Sequence, residues 1–273
     1  MKTNITILSV LFLSYFSLAQ EITVESIYEK YKNAIGGKEK VESITNIIEY
    51  TKNEGKSRLK IDTDIVNSEI EVEDNLEIIY FVDLKKNQRG ALSKNGKIYR
   101  KSIDNDGRKY IESYIGNKKV IQLEVENDGT DVPISIFIGS EINPNSEVIA
   151  NEIYNGEEVY IVKYEGKLFS TNMKSNITYE IFSVKTGLLV AIKQYTVYEN
   201  SDDMIMITEF SDYKEVQGIL IPHTTNSNIT TRGKNSETNT QVKGTSIIQL
   251  NVDMEDFQKN CFKNHKNCFK QYK

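Results

Sequence analysis

The stretch Tyr-Glu-Ile-Phe-Ser-Val-Lys-Thr-Gly-Leu-Leu-Val-Ala-Ile-Lys, residues 179–193, decides the fold class. Two β-rich runs flank the turn signal Thr186-Gly187, a pattern that predicts an antiparallel hairpin. Similar runs, separated by turns such as Asn95-Gly96 and Asn155-Gly156, follow one another from Ile44 to Val252. The sequence therefore predicts a mainly β (α+β) fold, in which about a dozen or more strands form a strongly curved sheet or open barrel.

One helix precedes the strands. Thr23 is a suitable N-cap, and Ile27, Tyr31 and Ile35 recur at helical spacing. Gly36-Gly37 ends the helix, because glycine adopts the left-handed conformation without steric cost. We predict that this helix packs on the sheet, and that residues 38–43 form a further turn.

Several strands carry apolar side chains on both faces. In residues 159–164, Val159 and Ile161 point to one side while Tyr160, Val162 and Tyr164 point to the other. One face must pack on the helix. The other face either lines a second apolar space or belongs to an ordinary two-layer β core.

Two segments break the pattern. Residues 226–243 are polar and predict a long exposed hairpin loop. Residues 132–139, Val-Pro-Ile-Ser-Ile-Phe-Ile-Gly, predict either one more strand or a helix or loop over the mouth of a barrel. Asp104-Asn105-Asp106-Gly107 begins like a calcium loop, but Ile115 stands where the loop needs Glu, so we interpret it as a turn.

The first residues predict export. A positive start, an apolar stretch from Ile5 to Leu18 and the small residues Ser17 and Ala19 form a secretory signal, with cleavage after Ala19. Gln20 would then be the first residue, which offers no cysteine for a lipid anchor. We expect an unanchored periplasmic protein with a signal peptide at 1–19, one domain at 20–257 and a tail at 258–273.

Composition excludes some partners. The chain has 273 residues and a net charge of −5, and removal of Lys2 with the signal makes it −6. A mildly acidic chain lacks the clustered Lys and Arg that nucleic acid and anionic lipid headgroups require. We expect a monomer, peripheral to a membrane rather than embedded in it.

The only cysteines are Cys261 and Cys268. In an oxidising compartment they predict a disulfide. A continuous helix would hold the two Cα atoms about 10 Å apart, so the bond requires a turn around Asn264-His265. Free thiols, or a metal site with His265 that lacks a fourth ligand, are the alternatives.

Catalytic patterns are scarce. The chain has two histidines, His223 and His265, and neither has a zinc-binding spacing. We interpret His223 as a surface or edge residue. No nucleophile elbow or phosphate loop occurs, and we expect no cofactor, no metal and no enzymatic activity.

Three segments together resemble the outer-membrane lipoprotein carrier and sorting superfamily, in its divergent Bacteroidetes-type form. They are I-Y-E-K-Y-K-N-A-I-G-G-K-E-K-V-E-S-I at 27–44, the hairpins at 179–193 and 210–222 (F-S-D-Y-K-E-V-Q-G-I-L-I-P), and I-I-Q-L-N-V-D-M-E-D-F at 247–257. The tail after Phe257 departs from the family's pattern. The resemblance implies a half-open antiparallel β-barrel with helices over one side and an apolar interior that accepts acyl chains of lipids or lipoproteins.

On that reading the protein is a non-enzymatic soluble carrier or chaperone in outer-membrane lipoprotein sorting or a related envelope transport process. Strand parity and apolar character select the candidate cavity-lining residues, each of which could instead belong to an ordinary core: Ile79, Phe81, Phe182, Val190, Ile205, Ile207, Ile219 and Ile221. The rival readings are an envelope protein–protein interaction or sensor module on the same fold, and a hydrolase that uses His223 with a neighbouring carboxylate.

Overall fold

A computed structural model describes residues 22–62, 67–85, 88–93, 99–105, 108–115, 118–125, 142–166, 173–199, 202–233, 236–263 and 265–271. The proposed signal peptide and the apolar segment 132–139 lie outside these described residues.

Thirteen strands of the described chain form one sheet in which every neighbouring pair is antiparallel. The strands are β1 (Asn46–Asp62), β2 (Asn67–Asp83), β3 (Gln88–Ser93), β4 (Tyr99–Asn105), β5 (Arg108–Ile115), β6 (Lys118–Val125), β7 (Glu147–Tyr154), β8 (Glu157–Glu165), β9 (Met173–Ser183), β10 (Leu189–Tyr198), β11 (Asp203–Val216), β12 (Ile219–Arg232) and β13 (Ser236–Leu250). Their order is β6-β5-β4-β3-β2-β1-β13-β12-β11-β10-β9-β8-β7. The curved sheet is not closed between β6 and β7 within the described residues, which confirms the predicted half-open barrel.

The first helix, α1 (Val24–Ala34), forms as the sequence predicts. The Thr23 hydroxyl accepts a hydrogen bond from the Ser26 backbone N–H at 3.2 Å, and the Ser26 side chain completes the capping box. Gly36 and Gly37 follow with φ of 132° and 92°, and a short helix α2 (Lys38–Glu42) comes next. A Cβ at Gly36 would lie 2.4 Å from the Gly218 carbonyl oxygen. This glycine therefore lets the end of α1 dock directly on the β11–β12 turn.

The sheet has two apolar faces, as the two-faced strands predict. Residues paired across antiparallel strands share a face, while adjacent residues in one strand do not. Ile47 and Ile48 therefore point to opposite sides, and they belong to different buried clusters. We call the side of Ile47 the α1 face, because α1 packs there against Phe182 and Val162. We call the side of Ile48 the hairpin face, after the C-terminal helices that cover it.

The expectation of a long loop at residues 226–243 is wrong. β12 continues to Arg232 and β13 begins at Ser236, with paired residues from Thr224 opposite Thr245 to Arg232 opposite Glu237. Hydroxyl, amide and charged side chains occupy both faces of this stretch, so it shows no apolar alternation. Cross-strand pairing and β-branched threonines sustain the strands without a buried face.

A buried carboxylate joins α1 to the sheet. Glu180 on β9 is 2% exposed and accepts hydrogen bonds from the Tyr28 hydroxyl on α1 and, at 3.1 Å, from the Tyr164 hydroxyl on β8. Burial raises the pKa of Glu180 above its ordinary value of 4.5, and the two tyrosine hydrogen bonds act in the opposite direction. The ionised form of Glu180 is thus less favourable in the folded protein than in the unfolded chain.

We predict that Glu180→Gln flattens the pH dependence of stability. Because the pKa of Glu180 is raised on folding, its stabilising contribution is complete below pH 4.5 and is lost as the pH rises through the folded value. Denaturant unfolding between pH 4.5 and 7.5 should show a slope smaller by up to about 1.4 kcal/mol per pH unit in the variant. The matched control, exposed Glu152→Gln on β7, should keep the wild-type slope; equal slopes in all three proteins would contradict this role of Glu180.

Candidate functional site

The hairpin face of β1–β3 carries a fully buried apolar patch. Two C-terminal helices, α3 (Met254–Lys263) and α4 (His265–Gln271), cover it. The sheet contributes Ile48, Tyr50, Ile79, Phe81 and Leu92, and the helices contribute Met254, Phe257, Cys261, Cys268 and Phe269. We call the first five the β1–β3 patch and the two helices the C-terminal hairpin.

The sequence after β13 explains why the hairpin forms there. The Asp253 carboxylate accepts hydrogen bonds from the backbone N–H groups of Glu255 at 2.9 Å and Asp256 at 3.1 Å, which caps α3. Met254, Phe257 and Cys261 then recur on one helical side and face the patch. The Asn46 amide donates to the Val252 carbonyl at 2.9 Å, and its oxygen accepts from the Val252 N–H at 2.8 Å. This double hydrogen bond fixes the base of the hairpin to β1.

A disulfide joins the two helices of the hairpin. Cys261 and Cys268 are bonded, with their Cα atoms 4.6 Å apart. One continuous helix across residues 261–268 would hold these Cα atoms about 10 Å apart, so the chain is not a single straight helix between the two cysteines. Both cysteines are fully buried against the patch. Residues 258–271, separated from the domain by the sequence analysis, therefore include part of this helical cover.

Tyr50 stands at the border of the patch. Its ring packs edge-on against Phe269, with centroids 6.2 Å apart, while its hydroxyl donates to Glu77 Oε2 at 2.8 Å. Burial, and then the hydrogen bond to Glu77, raise the pKa of Tyr50 to about 12. Tyr50 thus has one side in the apolar patch and its hydroxyl among polar groups.

A polar cavity of about 510 Å³ lies farther along the same face. Lys52, Glu54 and Lys56 follow Tyr50 at every second position of β1 and therefore share its face. Glu54 accepts a hydrogen bond from Lys52 at 2.7 Å. We call the cavity the polar groove; its lining is Glu54, Gly55, Lys56, Asn75, Asn226, Ser227, Asn228, Gln241, Val242 and Lys243.

A smaller cavity of about 230 Å³ adjoins the groove at Asn226, which lines both. Glu209 lies in its wall and accepts hydrogen bonds from the Tyr154 hydroxyl at 2.8 Å and the Asn155 amide at 2.9 Å. Burial, and then the hydrogen bond to Glu209, raise the pKa of Tyr154 to about 12. The hairpin face is thus polar between the β1–β3 patch and a second buried apolar cluster on β8–β10.

His223 lies inside the sheet, and its interpretation as a surface or edge residue is wrong. It is 9% exposed, within β12 between β11 and β13. The Pro222 beside it does not mark a strand end, because β12 continues past it. His223 Nδ1 lies 2.8 Å from the Ser246 carbonyl oxygen, which fits a donating Nδ1–H, and Nε2 is buried without a hydrogen-bond partner among the described residues.

The groups around His223 are not arranged as a hydrolase triad. Ser246 Oγ donates to Glu49 Oε1 at 2.5 Å, and the Thr51 hydroxyl is 3.0 Å from that same oxygen. A triad requires the serine hydroxyl to donate to the histidine and the histidine to donate to the acid. Here the serine hydroxyl is bonded to the acid and the histidine to a backbone carbonyl.

The eight candidate lining residues do not meet in one place. Ile79 and Phe81 lie in the β1–β3 patch under the hairpin. Val190, Ile205 and Ile207 are half-buried on β10 and β11, and Val190 lines the smaller cavity. Three others are buried on the α1 face, namely Phe182, Ile219 and Ile221. Whether any of the eight contacts a ligand stays a prediction.

Sequence reasoning missed most of the patch. Strand pairing places three further residues on the same face of the sheet as Ile79 and Phe81, namely Ile48 and Tyr50 on β1 and Leu92 on β3. The available signal was the helical spacing of Met254, Phe257 and Cys261, which marks the tail as a helix with one apolar side.

None of the helices in the described part of the chain has the length and apolar character needed to cross a membrane. Among these same residues, no three His, Cys, Asp or Glu side chains are gathered as a metal ion would require.

The sequence matches no protein-family model and no curated protein. Among solved structures it is similar to the LolA superfamily protein NE2245 from Nitrosomonas europaea, at 10% identity and a TM-score of 0.47, over 90% of this chain and 99% of that one. It is also similar to the Acinetobacter baumannii outer membrane protein Omp33, at 10% identity, a TM-score of 0.19, and 73% and 99% coverage. A third is the Pseudomonas aeruginosa MucA/MucB complex, at 6% identity, a TM-score of 0.13, and 74% and 94% coverage.

All three TM-scores are below 0.5, so these similarities support no conclusion about the fold. The fold is instead described from the strand order and register of this chain. That order describes a half-open antiparallel β-barrel with an N-terminal helix on one face and a C-terminal helical hairpin on the other.

We predict that removal of the disulfide loosens the hairpin. For a loop of this size, the chain-entropy account gives a loss of roughly 2–3 kcal/mol when Cys261 and Cys268 are both replaced by Ala. Hydrogen exchange should then accelerate in residues 254–271 and stay unchanged in α1. Equal acceleration in both helical regions would show that the bond stabilises the whole fold rather than the hairpin.

Proposed function

We propose that this protein is an exported, soluble, non-enzymatic carrier that binds one acyl chain of a lipid or lipoprotein on the β1–β3 patch. One observation carries the proposal: the patch is covered by a separate helical hairpin rather than by another layer of the sheet. In the closed protein Phe257 and Phe269 occupy the space above Phe81 and Tyr50. An acyl chain would replace these side chains when the hairpin moves aside.

The energetics favour reversible binding. Each CH₂ group removed from water contributes about 0.8 kcal/mol, so ten buried groups contribute about 8 kcal/mol. Opening the hairpin uncovers apolar surface and subtracts from that gain. The apparent dissociation constant equals the intrinsic constant divided by the fraction of molecules in the open state, so a sparsely populated open state weakens binding. A carrier needs this balance, because it must release its ligand to an acceptor.

Three further observations support the proposal. The groups around His223 do not form a serine–histidine–acid triad, which favours binding over that form of hydrolysis. The signal-like start and Ala19-Gln20 junction favour a periplasmic protein without a lipid anchor. The family resemblance at residues 27–44, 179–193, 210–222 and 247–257 favours a role in outer-membrane lipoprotein sorting or a related envelope process.

We predict that Phe257→Leu tightens ligand binding while it destabilises the fold. Phe257 is fully buried in the hairpin, and the smaller side chain should lower stability by roughly 1 kcal/mol. Because the open state becomes more populated, the apparent Kd for a fluorescent fatty acid should fall severalfold. Fluorescence titration and thermal unfolding measure the two effects on the same samples.

Phe182→Leu is the matched control. Phe182 is also buried, but it packs against Tyr28 and Tyr31 of α1 on the opposite face. This variant should lose comparable stability without tighter binding.

A wild-type protein that binds no fatty acid and carries no lipid in native mass spectrometry, but retains a stable envelope protein in a pull-down, would favour the interaction module instead.

A further inference from the structure

We infer that the polar groove is a second binding site, for an uncharged, hydroxyl-rich headgroup such as a sugar attached to the acyl chain. This inference rests on the proposed function, because the groove and the β1–β3 patch share one face of β1. Tyr50 borders the patch, and Glu54 and Lys56 line the groove four and six residues farther on. At about 3.3 Å per residue, the two sites are roughly 13–20 Å apart.

Ile247 continues the apolar surface beyond the hairpin. It pairs with Tyr50 across β13 and β1, so it lies on the same face, and it is 41% exposed. The next residue of that face on β13 is Thr245, and Lys243 of the groove follows. The hairpin face thus passes from apolar to polar along one strand, as a ligand with a tail and a polar head requires.

The groove lining carries charges of both signs, with Glu54 beside Lys56 and Lys243. Glu54 lies between Lys52, which donates to it, and Lys243, and both lower its pKa. Lys52 is paired in register with Glu77 on β2. An anionic headgroup such as a phosphate would meet the carboxylate of Glu54, and a cationic one would meet Lys56 and Lys243. An uncharged headgroup avoids like-charge repulsion from either kind of side chain.

The remaining polar side chains of the lining on this face are the amides of Asn75, Asn226, Asn228 and Gln241. A primary amide presents both donors and an acceptor, and a sugar hydroxyl also donates and accepts. A row of amides on neighbouring strands therefore complements a row of hydroxyls, whereas a simple acyl chain would leave these groups without a ligand partner.

The groove is open and polar, so a free sugar should bind weakly. An acyl chain bound under the hairpin changes this, because the attached headgroup then binds at high effective concentration. The two sites together would select glycosylated amphiphiles over other lipids with the same chain.

The test compares two uncharged amphiphiles with the same twelve-carbon chain: dodecyl maltoside and a dodecyl tetraethylene glycol ether. Each competes, below its micelle concentration, with the fluorescent fatty acid. The maltoside should bind about tenfold more tightly, the effect of one or two additional net hydrogen bonds. Asn228→Ala combined with Gln241→Ala should abolish that preference and leave the affinity for the ether unchanged.

Two further variants make the test specific. Gln241→Glu keeps the side-chain shape but replaces the amide donor by a carboxylate, and it should also reduce the preference. Asn151→Ala removes an exposed amide on β7, remote from the groove, and should retain it. Equal affinity for the two amphiphiles in the wild-type protein would overturn the headgroup site and leave the carrier proposal intact. If the fatty acid itself does not bind, both fail.

Discussion

The pairing of β1 with β13 is the constraint on which the rest of the structure depends. These strands lie near opposite ends of the chain, yet they pair from Ile47 opposite Leu250 to Ile61 opposite Ser236. The pairing joins two strand meanders, β1–β6 and β7–β13, into one sheet. It also fixes which side chains face which cover, since a shift by one residue would exchange Ile47 with Ile48 and reverse both apolar surfaces. Both helical covers depend on this register.

The two faces of the sheet serve different purposes in this arrangement. On the α1 face, apolar residues of β8–β11 and the first helix form a continuous core, with the buried Glu180 held by tyrosine hydroxyls. On the hairpin face, one apolar cluster lies on β1–β3 and a second on β8–β10, and the polar cavities lie on β11–β13 and the adjoining parts of β1 and β2. A ligand with both apolar and polar parts matches the second face and not the first. For this reason the proposed carrier function and the headgroup site are placed there.

The sequence predicts the features that local patterns determine, such as helix ends and hairpin turns. It does not predict the features that depend on which strands pair and in which register. Thr23, Gly36 and Gly37 mark the limits of α1 through capping and left-handed geometry, which are local effects. Turn signals such as Thr186-Gly187 likewise reveal the antiparallel hairpins. The polar ends of β12 and β13 were mistaken for a loop, because their stability comes from the opposite strand rather than from burial. His223 is buried because β12 continues past Pro222 between β11 and β13, which the local sequence does not show. The members of the β1–β3 patch could not be grouped, since the face that each residue occupies depends on the register between neighbouring strands, which no local pattern fixes.

The close approach of Gly36 to Gly218 has a consequence for which cover can open. The Ile35 carbonyl accepts a hydrogen bond from the Leu220 N–H at 2.8 Å, next to that contact, so the end of α1 is fastened to the sheet through backbone atoms. The base of the hairpin is held differently, because the Val252 backbone is hydrogen-bonded to the side-chain amide of Asn46. Beyond that point the hairpin meets the sheet through the side chains of its apolar cluster. Side-chain packing can be exchanged for another apolar surface, whereas a backbone hydrogen bond has no substitute in a lipid tail. If the proposed function is correct, this difference predicts that the hairpin, and not α1, moves aside for a ligand.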